Sequence, residues 1–252
     1  MAEITHDAAA VQNWLQTPLG SALMRQEARV VEQALDGLFG ERCLQMGLWG
    51  DSRAFLRHAR TQRTSLIAEN GAAGKPSVLG ELHRLPIASD SIDIVLLPHT
   101  LDYSDRPHAI LREVQRVLRS DGHLVVLGLR PGGLWGLRRL IPGAGLPPGA
   151  DHLISDRRLR DWLELLDMHI HGVTRYFFRW PLPGDRGGGS RRWEQRGQRW
   201  WPELSACYML TAQKRFSTLT PVRPVWRTKA KVVTGVASPS TRVSRIRFEP
   251  NH

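Results

Sequence analysis

The chain has 252 residues, 41% of them hydrophobic, which is enough to bury a core and excludes a wholly disordered protein. Its two cysteines, Cys43 and Cys207, exclude a disulfide-built scaffold and read as small core residues, and no His/Cys cluster has zinc spacing. A formal net charge of +11 favours polyanionic partners such as nucleic acid, anionic lipid or acidic small molecules. The excess is concentrated between Arg186 and Arg199 and between Lys214 and Arg247, where a solvated basic tail is the competing interpretation. No apolar run approaches the roughly 20 residues that a membrane span needs. Met1 to Ala10 carries acidic residues instead of a basic-then-apolar leader, so cytoplasmic residence is the expectation.

In chain order, Ala8 to Leu15 predicts a short helix and Ser21 to Leu38 a longer one. The longer helix has Leu23, Met24, Val30, Val31, Leu35 and Leu38 near a 3.6-residue period, with Ser21 as cap and Gly37 or Gly40 as stop. Nothing in these helices points to chemistry, and they are expected to lie across the edge or mouth of a sheet. Arg42 to Gly47 then reads as a strand, Asp51 to Arg60 as a helix and Thr64 to Glu69 as a strand. Ser77 to Glu81 is a short strand, Asp93 to Leu97 an apolar strand, Pro107 to Leu118 an amphipathic helix and His123 to Leu129 another apolar strand. Continuous apolar strands alternating with helices predict a parallel sheet covered on both faces. Ser155 caps a helix through Leu166, and Ile170 to Phe178 and Cys207 to Lys214 read as two further strands. Pro181 to Pro202 between them reads as a loop insertion. The expected division is a helical extension over 1–40, an α/β domain over 41–216 and a basic, mostly disordered tail over 217–252.

Val78 to Gly128 carries the most specific pattern. It contains Gly80-Glu81-Leu82-His83-Arg84-Leu85-Pro86-Ile87, then Asp90-Ser91-Ile92-Asp93-Ile94-Val95, Pro98-His99-Thr100-Leu101 and Asp105-Arg106-Pro107. Leu111-Arg112-Glu113-Val114, Arg116-Val117-Leu118 and Asp121-Gly122 follow. This series resembles the methyltransferase 11 branch of the class I methyltransferases, and flanking elements extend the resemblance from about Arg42 to Lys214. The resemblance implies a Rossmann-like α/β fold, a three-layer α/β/α sandwich with a mostly parallel seven-stranded sheet. It also implies S-adenosylmethionine as cofactor and methyl transfer to an acceptor.

In open parallel sheets, ligands sit beyond the carboxyl ends of the strands at the point where strand order reverses. Members of the family have an acidic-x-Gly-x-Gly-x-Gly loop after the first strand. Here Gln45 takes the place of the acid and Trp49 that of a glycine, while Gly47 and Gly50 remain. Gly47, Leu48, Trp49 and Gly50 are therefore the expected cofactor loop, and the indole either stacks on the cofactor or fills its site. The resemblance implies Glu69 as acceptor for the ribose hydroxyls, with a solvated strand-end carboxylate as the alternative, Glu81 and Leu82 on the adenine side, and Pro98 and His99 near the transferred methyl. His99 is the candidate general base, since an imidazole titrates near neutral pH; the alternative is a hydrogen bond to backbone at the strand end. Asp93 and Glu113 read as structural. The link Asn70 to Pro76 spans only ~23 Å when extended, which predicts that the usual crossover helix is lost.

Pro131 to Gly149 is rich in Gly and Pro, with Trp135, Leu137, Leu140 and Ile141 interleaved with Arg138 and Arg139; it reads as a lid over the acceptor or as a surface loop. Trp193, Trp200 and Trp201 alternate with Arg191, Arg192, Arg196 and Arg199. Such a mixture can stack on single-stranded bases, although packing of the tryptophans on the sheet is the expectation. Three functions follow from these readings. One is an S-adenosylmethionine-dependent methyltransferase acting on a small-molecule acceptor. The second is a binding protein on a degenerate methyltransferase scaffold, and the third a nucleic-acid partner engaged through the basic tail.

Overall fold

The computed structural model describes residues 3–69, 76–138, 147–150, 152–179 and 191–215. The link at 70–75, much of the expected lid and the tail from residue 216 onward lie outside these residues. Residues Met1–Ser217 group into one compact unit.

Two helices open the chain, α1 (Glu3–Leu15) and α2 (Pro18–Leu35). Thr17, not Ser21, caps α2: its side chain accepts a hydrogen bond from the Gly20 N–H, and Pro18 supplies the preset φ of a first helical position. The strands are β1 (Phe39–Met46), β2 (Arg60–Ala68), β3 (Val78–Leu79), β4 (Ile92–Pro98), β5 (Leu118–Leu129), β6 (Met168–Tyr176) and β7 (Cys207–Lys214). The remaining helices are α3 (Pro107–Val117), α4 (Leu134–Arg138), α5 (Asp156–Leu165) and α6 (Arg191–Trp200). The sheet order is β3-β2-β1-β4-β5-β7-β6, and only β7 runs against the others. This is the mostly parallel, seven-stranded sheet of a class I methyltransferase fold.

Alternation along the central strands splits the core into two layers. Cys43, Ile94, Leu96, Val125 and Leu127 face one side, where α1 and α2 cover them with Leu15, Leu23, Val30, Val31 and Leu35. Leu44, Val95, Leu97, Leu124 and Val126 face the other, under Ile110, Leu111 and Val114 of α3 and Leu159 and Leu163 of α5. The helix expected over Asp51 to Arg60 is absent. That segment forms turns and one short 3₁₀ turn, Leu56–His58, and buries Ala54, Phe55 and Leu56. The N-terminal helices do the covering on this face in its place.

Three of the motif residues that carry the family resemblance, Asp93, Glu113 and Arg116, are braces. Glu113 Oε2 accepts from the Leu85 N–H at 2.8 Å and from Arg116, which also donates to the carbonyls of Leu85 and Ile87. The Leu85-Pro86-Ile87 turn is thereby tied to α3. Asp93 Oδ2 accepts from the backbone N–H groups of Glu41 and Arg42 at 2.9 Å each, fixing the start of β1 beside β4.

α6 forms within the segment expected to be a loop. Among its described side chains the buried positions are Glu194 and Gly197, an acid and a glycine. Glu194 accepts from the N–H groups of Phe177 and Phe178, and Gly197 lies where a Cβ would come within 2.4 Å of the Phe178 ring. Among the described residues no helix is long and apolar enough to cross a membrane.

Gly128 on β5 sits opposite Tyr208 on β7, and a Cβ there would lie 2.6 Å from the buried phenol ring. We expect Gly128→Ala to lower unfolding free energy by about 1–3 kcal/mol through overpacking. Gly37→Ala, whose Cβ meets nothing within 4 Å, should stay within about 0.5 kcal/mol of the parent. Urea denaturation of the two variants checks both values.

Candidate functional site

The strand order reverses between β1 and β4, because the chain builds β2 and β3 on one side of β1 and then crosses to β4 on the other. The crevice outside the carboxyl ends at this point is where such folds hold ligands. On the β1 side it is bounded by the loop Gly47-Leu48-Trp49-Gly50, whose two glycines have φ of 87° and 69°. Both take conformations that side chains rarely adopt, and both let other parts of the chain approach closely. A Cβ on Gly47 would lie 2.6 Å from Thr100 Oγ1, and one on Gly50 would lie 2.6 Å from the Met24 methyl of α2. On the β4 side, Pro98 is followed by His99, a non-glycine residue held at φ 55°. Strain of this kind persists where surrounding contacts enforce it.

Those contacts are polar and fully buried. The Trp49 indole stacks against the His99 ring with centroids 4.3 Å apart and is 1% exposed. Trp49 Nε1 donates to Glu27 Oε2 at 2.7 Å, and His99 Nε2 lies 2.7 Å from Glu27 Oε1. The Tyr176 hydroxyl at the end of β6 donates to the same Oε1 at 3.3 Å. The other face of the imidazole is held by Asp102, with Nδ1 3.0 Å from Oδ2, and the Leu129 N–H donates to that oxygen at 2.9 Å. Glu27 comes from the middle of α2, so one carboxyl group joins the N-terminal helices to the ends of β1, β4 and β6.

Burial by itself would lower the His99 pKa, but the Glu27 charge and the hydrogen bonds of Asp102 and Glu27 outweigh it and raise the value to about 9. The ring is therefore an imidazolium at neutral pH that donates to a carboxyl group on each side. Burial pushes the Asp102 carboxyl upward, with the His99 hydrogen bond pulling against it. Burial and the Glu27 charge push the Tyr176 phenol well above its ordinary range, which keeps it a donor.

The nucleoside-side candidates lie on the outer strands. Glu69 directly follows β2, and its Oε1 accepts from the Leu82 N–H at 3.2 Å. Leu82 is buried, whereas Glu69 is exposed and the Glu81 side chain retains 67% exposure. The fold thus brings Glu69, Glu81 and Leu82 together at one edge, and Gly47, Trp49, Pro98 and His99 at the other. The imidazole marked as a general base has both nitrogens engaged by carboxyl groups and offers no free lone pair to an acceptor in this arrangement. Gln45, where the family has an acid, is fully buried; its Nε2 donates to the Gly47 carbonyl at 3.1 Å and its Oε1 has no partner among the described residues.

Glu27 is the residue that sequence reasoning missed. It falls on the apolar stripe of α2, four residues after Leu23 and three before Val30, and an acid in that position is the signal that would have singled it out. Trp135 is buried, and its Nε1 donates to the Arg179 carbonyl at 3.0 Å. Trp200 and Trp201 do not pack on the sheet as expected; they are 68% and 56% exposed, because α6 turns Glu194 and Gly197 inward instead. The Trp193 side chain lies outside the described set. Among the described residues no His, Cys, Asp and Glu cluster could hold a metal ion. A separate groove of about 450 Å³ runs between α2 and the β5-β7-β6 face, lined in part by Val30, Ala34, His123 and His171, away from the crevice.

Comparison with known proteins places this geometry. Residues 49–126 match the methyltransferase domain family. The uncharacterised protein YafS of Escherichia coli is 34% identical over 176 residues, covering 69% of this chain and 70% of YafS. A malonyl-[acyl-carrier protein] O-methyltransferase of Laribacter hongkongensis is 36% identical over 95 residues, 38% of this chain and 28% of that protein. In fold, the chain is similar to a possible histamine N-methyltransferase of Thermotoga maritima, with TM-score 0.56, 18% identity, and 76% and 91% of the two chains covered. It is also similar to geranyl diphosphate C-methyltransferase of Streptomyces coelicolor, solved with S-adenosyl-L-homocysteine, with TM-score 0.52, 12% identity, and coverage of 75% and 80%. A seven-stranded sheet with a reversed β7 and a crevice between β1 and β4 defines a class I methyltransferase scaffold. The chain belongs to the class I methyltransferase family, whose cofactor is S-adenosylmethionine.

Tested against that cofactor, the two halves of the crevice differ. The exposed carboxylates of Glu69 and Glu81 suit hydroxyl and amino groups of a nucleoside. The residues at the β1–β4 end do not fit the sulfonium and amino-acid arm in this arrangement, because Trp49, His99 and Glu27 occupy the hollow.

The His99 pKa gives a pH signature. Its folded value of about 9 exceeds the ordinary 6.5, so its contribution to stability is complete below about 6.5 and is lost as pH rises through about 9. The groups facing it are Glu27, Asp102, Trp49 and, through Glu27, Tyr176. Urea midpoints measured from pH 6 to pH 10 should fall for the parent chain, and His99→Gln should lack that component of the fall.

Proposed function

We propose that the protein transfers a methyl group from S-adenosylmethionine to a small-molecule acceptor. The observation that carries this reading is the order of residues around the carboxyl edge. Gly47, Glu69, Glu81 and His99 follow the carboxyl ends of the first four strands in turn, the order expected of the family. Methyl transfer asks little chemistry of the protein, since alignment of nucleophile and methyl supplies most of the rate. An imidazolium at His99 is therefore compatible with activity, whereas a crevice that never opens is not.

A second reading is favoured by a specific observation, the burial of Trp49 under Glu27. It makes the chain a binding protein on a methyltransferase scaffold that has lost the sulfonium site.

Titration calorimetry with S-adenosylhomocysteine separates the two. On the first reading the parent chain binds with a dissociation constant in the micromolar range, about −8 kcal/mol at 1 μM. No heat of binding at millimolar ligand, either for the parent or for Trp49→Gly, selects the second reading.

A further inference from the structure

We infer that α2 is a removable strap, and that Glu27 latches it over the crevice by holding Trp49 and His99 at once. This inference rests on the methyltransferase reading for the identity of the ligand, but the latch itself is a property of the chain.

Three features of the crevice converge. The first is what fills the crevice. A hollow closed for good is filled most cheaply by apolar side chains, and buried ion pairs replaced by such residues often leave a protein as stable or more so. Here the filling is Glu27, His99, Asp102 and the Trp49 N–H, all buried and mutually hydrogen-bonded. Every one of these groups can exchange its partner for water or for a polar ligand when the helix lifts. The second is how the plug is mounted. Trp49 sits between Gly47 and Gly50, both at positive φ, on a stretch with no helix behind it. Gly50 packs on the flexible Met24 side chain of the same helix that carries Glu27. Indole and helix are therefore coupled to move together. The third is Gln45 Oε1 at the base of the loop, a buried acceptor without a partner among the described residues. A buried orphan acceptor costs free energy that an incoming donor relieves, and an ammonium-bearing ligand arm supplies one.

In the closed arrangement the strap withholds the sulfonium end of the crevice, while the nucleoside end at Glu69 and Glu81 stays accessible. Ligand binding and latch opening are then linked: whatever weakens the Glu27 contacts increases affinity, and ligand in turn loosens α2.

Hydrogen–deuterium exchange of the full-length chain tests the latch, and calorimetry with S-adenosylhomocysteine tests the reading beneath it. In the parent chain, residues 18–35 should exchange faster than α3 under native conditions, and adding saturating S-adenosylhomocysteine should speed exchange in 18–35 further. Glu27→Gln keeps the size but removes the charge. It should raise exchange in 18–35 and in the 47–50 loop and leave α3 unchanged. It should also tighten the ligand about tenfold, the scale expected from losing one charge-assisted hydrogen bond. Should exchange in Glu27→Gln rise equally in α3, or not rise in α2, Glu27 is an ordinary core residue and the latch is overturned, whatever the ligand does. Faster local exchange with no binding by parent or variant upholds the latch and overturns the methyltransferase reading instead. The parent-chain measurement stands by itself if the variant fails to fold: α2 exchanging as slowly as α3 overturns the inference.

Discussion

The Glu27 carboxyl group, buried where α2 meets the ends of β1, β4 and β6, accepts from an indole, an imidazolium and a phenol. Taking a carboxylate out of water costs several kcal/mol unless its lone pairs are filled. The surrounding structure is arranged to fill them. His99 is held at positive φ so that its ring reaches Glu27 on one side and Asp102 on the other. Trp49 stands where a glycine is usual in the family and turns its N–H to the same acid. The raised pKa of His99 draws on Glu27 together with Asp102, and burial, reinforced by the Glu27 charge, raises the Tyr176 phenol.

Several of the residues that reveal the family have structural work in this chain. The pattern that reveals the family, from Leu85-Pro86 through Glu113 and Arg116, ties a turn to a helix and positions β4. Asp93 likewise registers β1 against β4. These contacts preserve the scaffold whether or not a cofactor is used. The departures at the crevice are Gln45, at the end of β1, and Trp49, in the loop that follows it.

Much of the fold was legible because it follows from local pattern. Apolar runs such as Asp93 to Leu97 and His123 to Leu129 marked strands buried on both faces, and Ser155 marked the start of α5. The errors had physical causes. Asp51 to Arg60 has helical spacing but folds into turns, since α2 already covers that face of the sheet. α6 gave no apolar pattern, and among its described side chains the buried ones are an acid, Glu194, and a glycine, Gly197. The two readings left open for the indole, stacking on a ligand or filling its place, could not be separated from residue types, since both ask for an aromatic ring after β1.

Chain-local chemistry was enough to specify a parallel, helix-covered sheet, its family and the strand ends where a ligand would sit, because periodicity and motif spacing are written residue by residue. The closure of the crevice belongs to a different level. It depends on a contact between residues 27 and 99 and between 27 and 49, separations that no sequence window spans, and on burial that turns a helical glutamate into the partner of an imidazolium. Only when α2 is packed against the sheet does the medium around Glu27 become dry enough for those bonds to hold the indole in place.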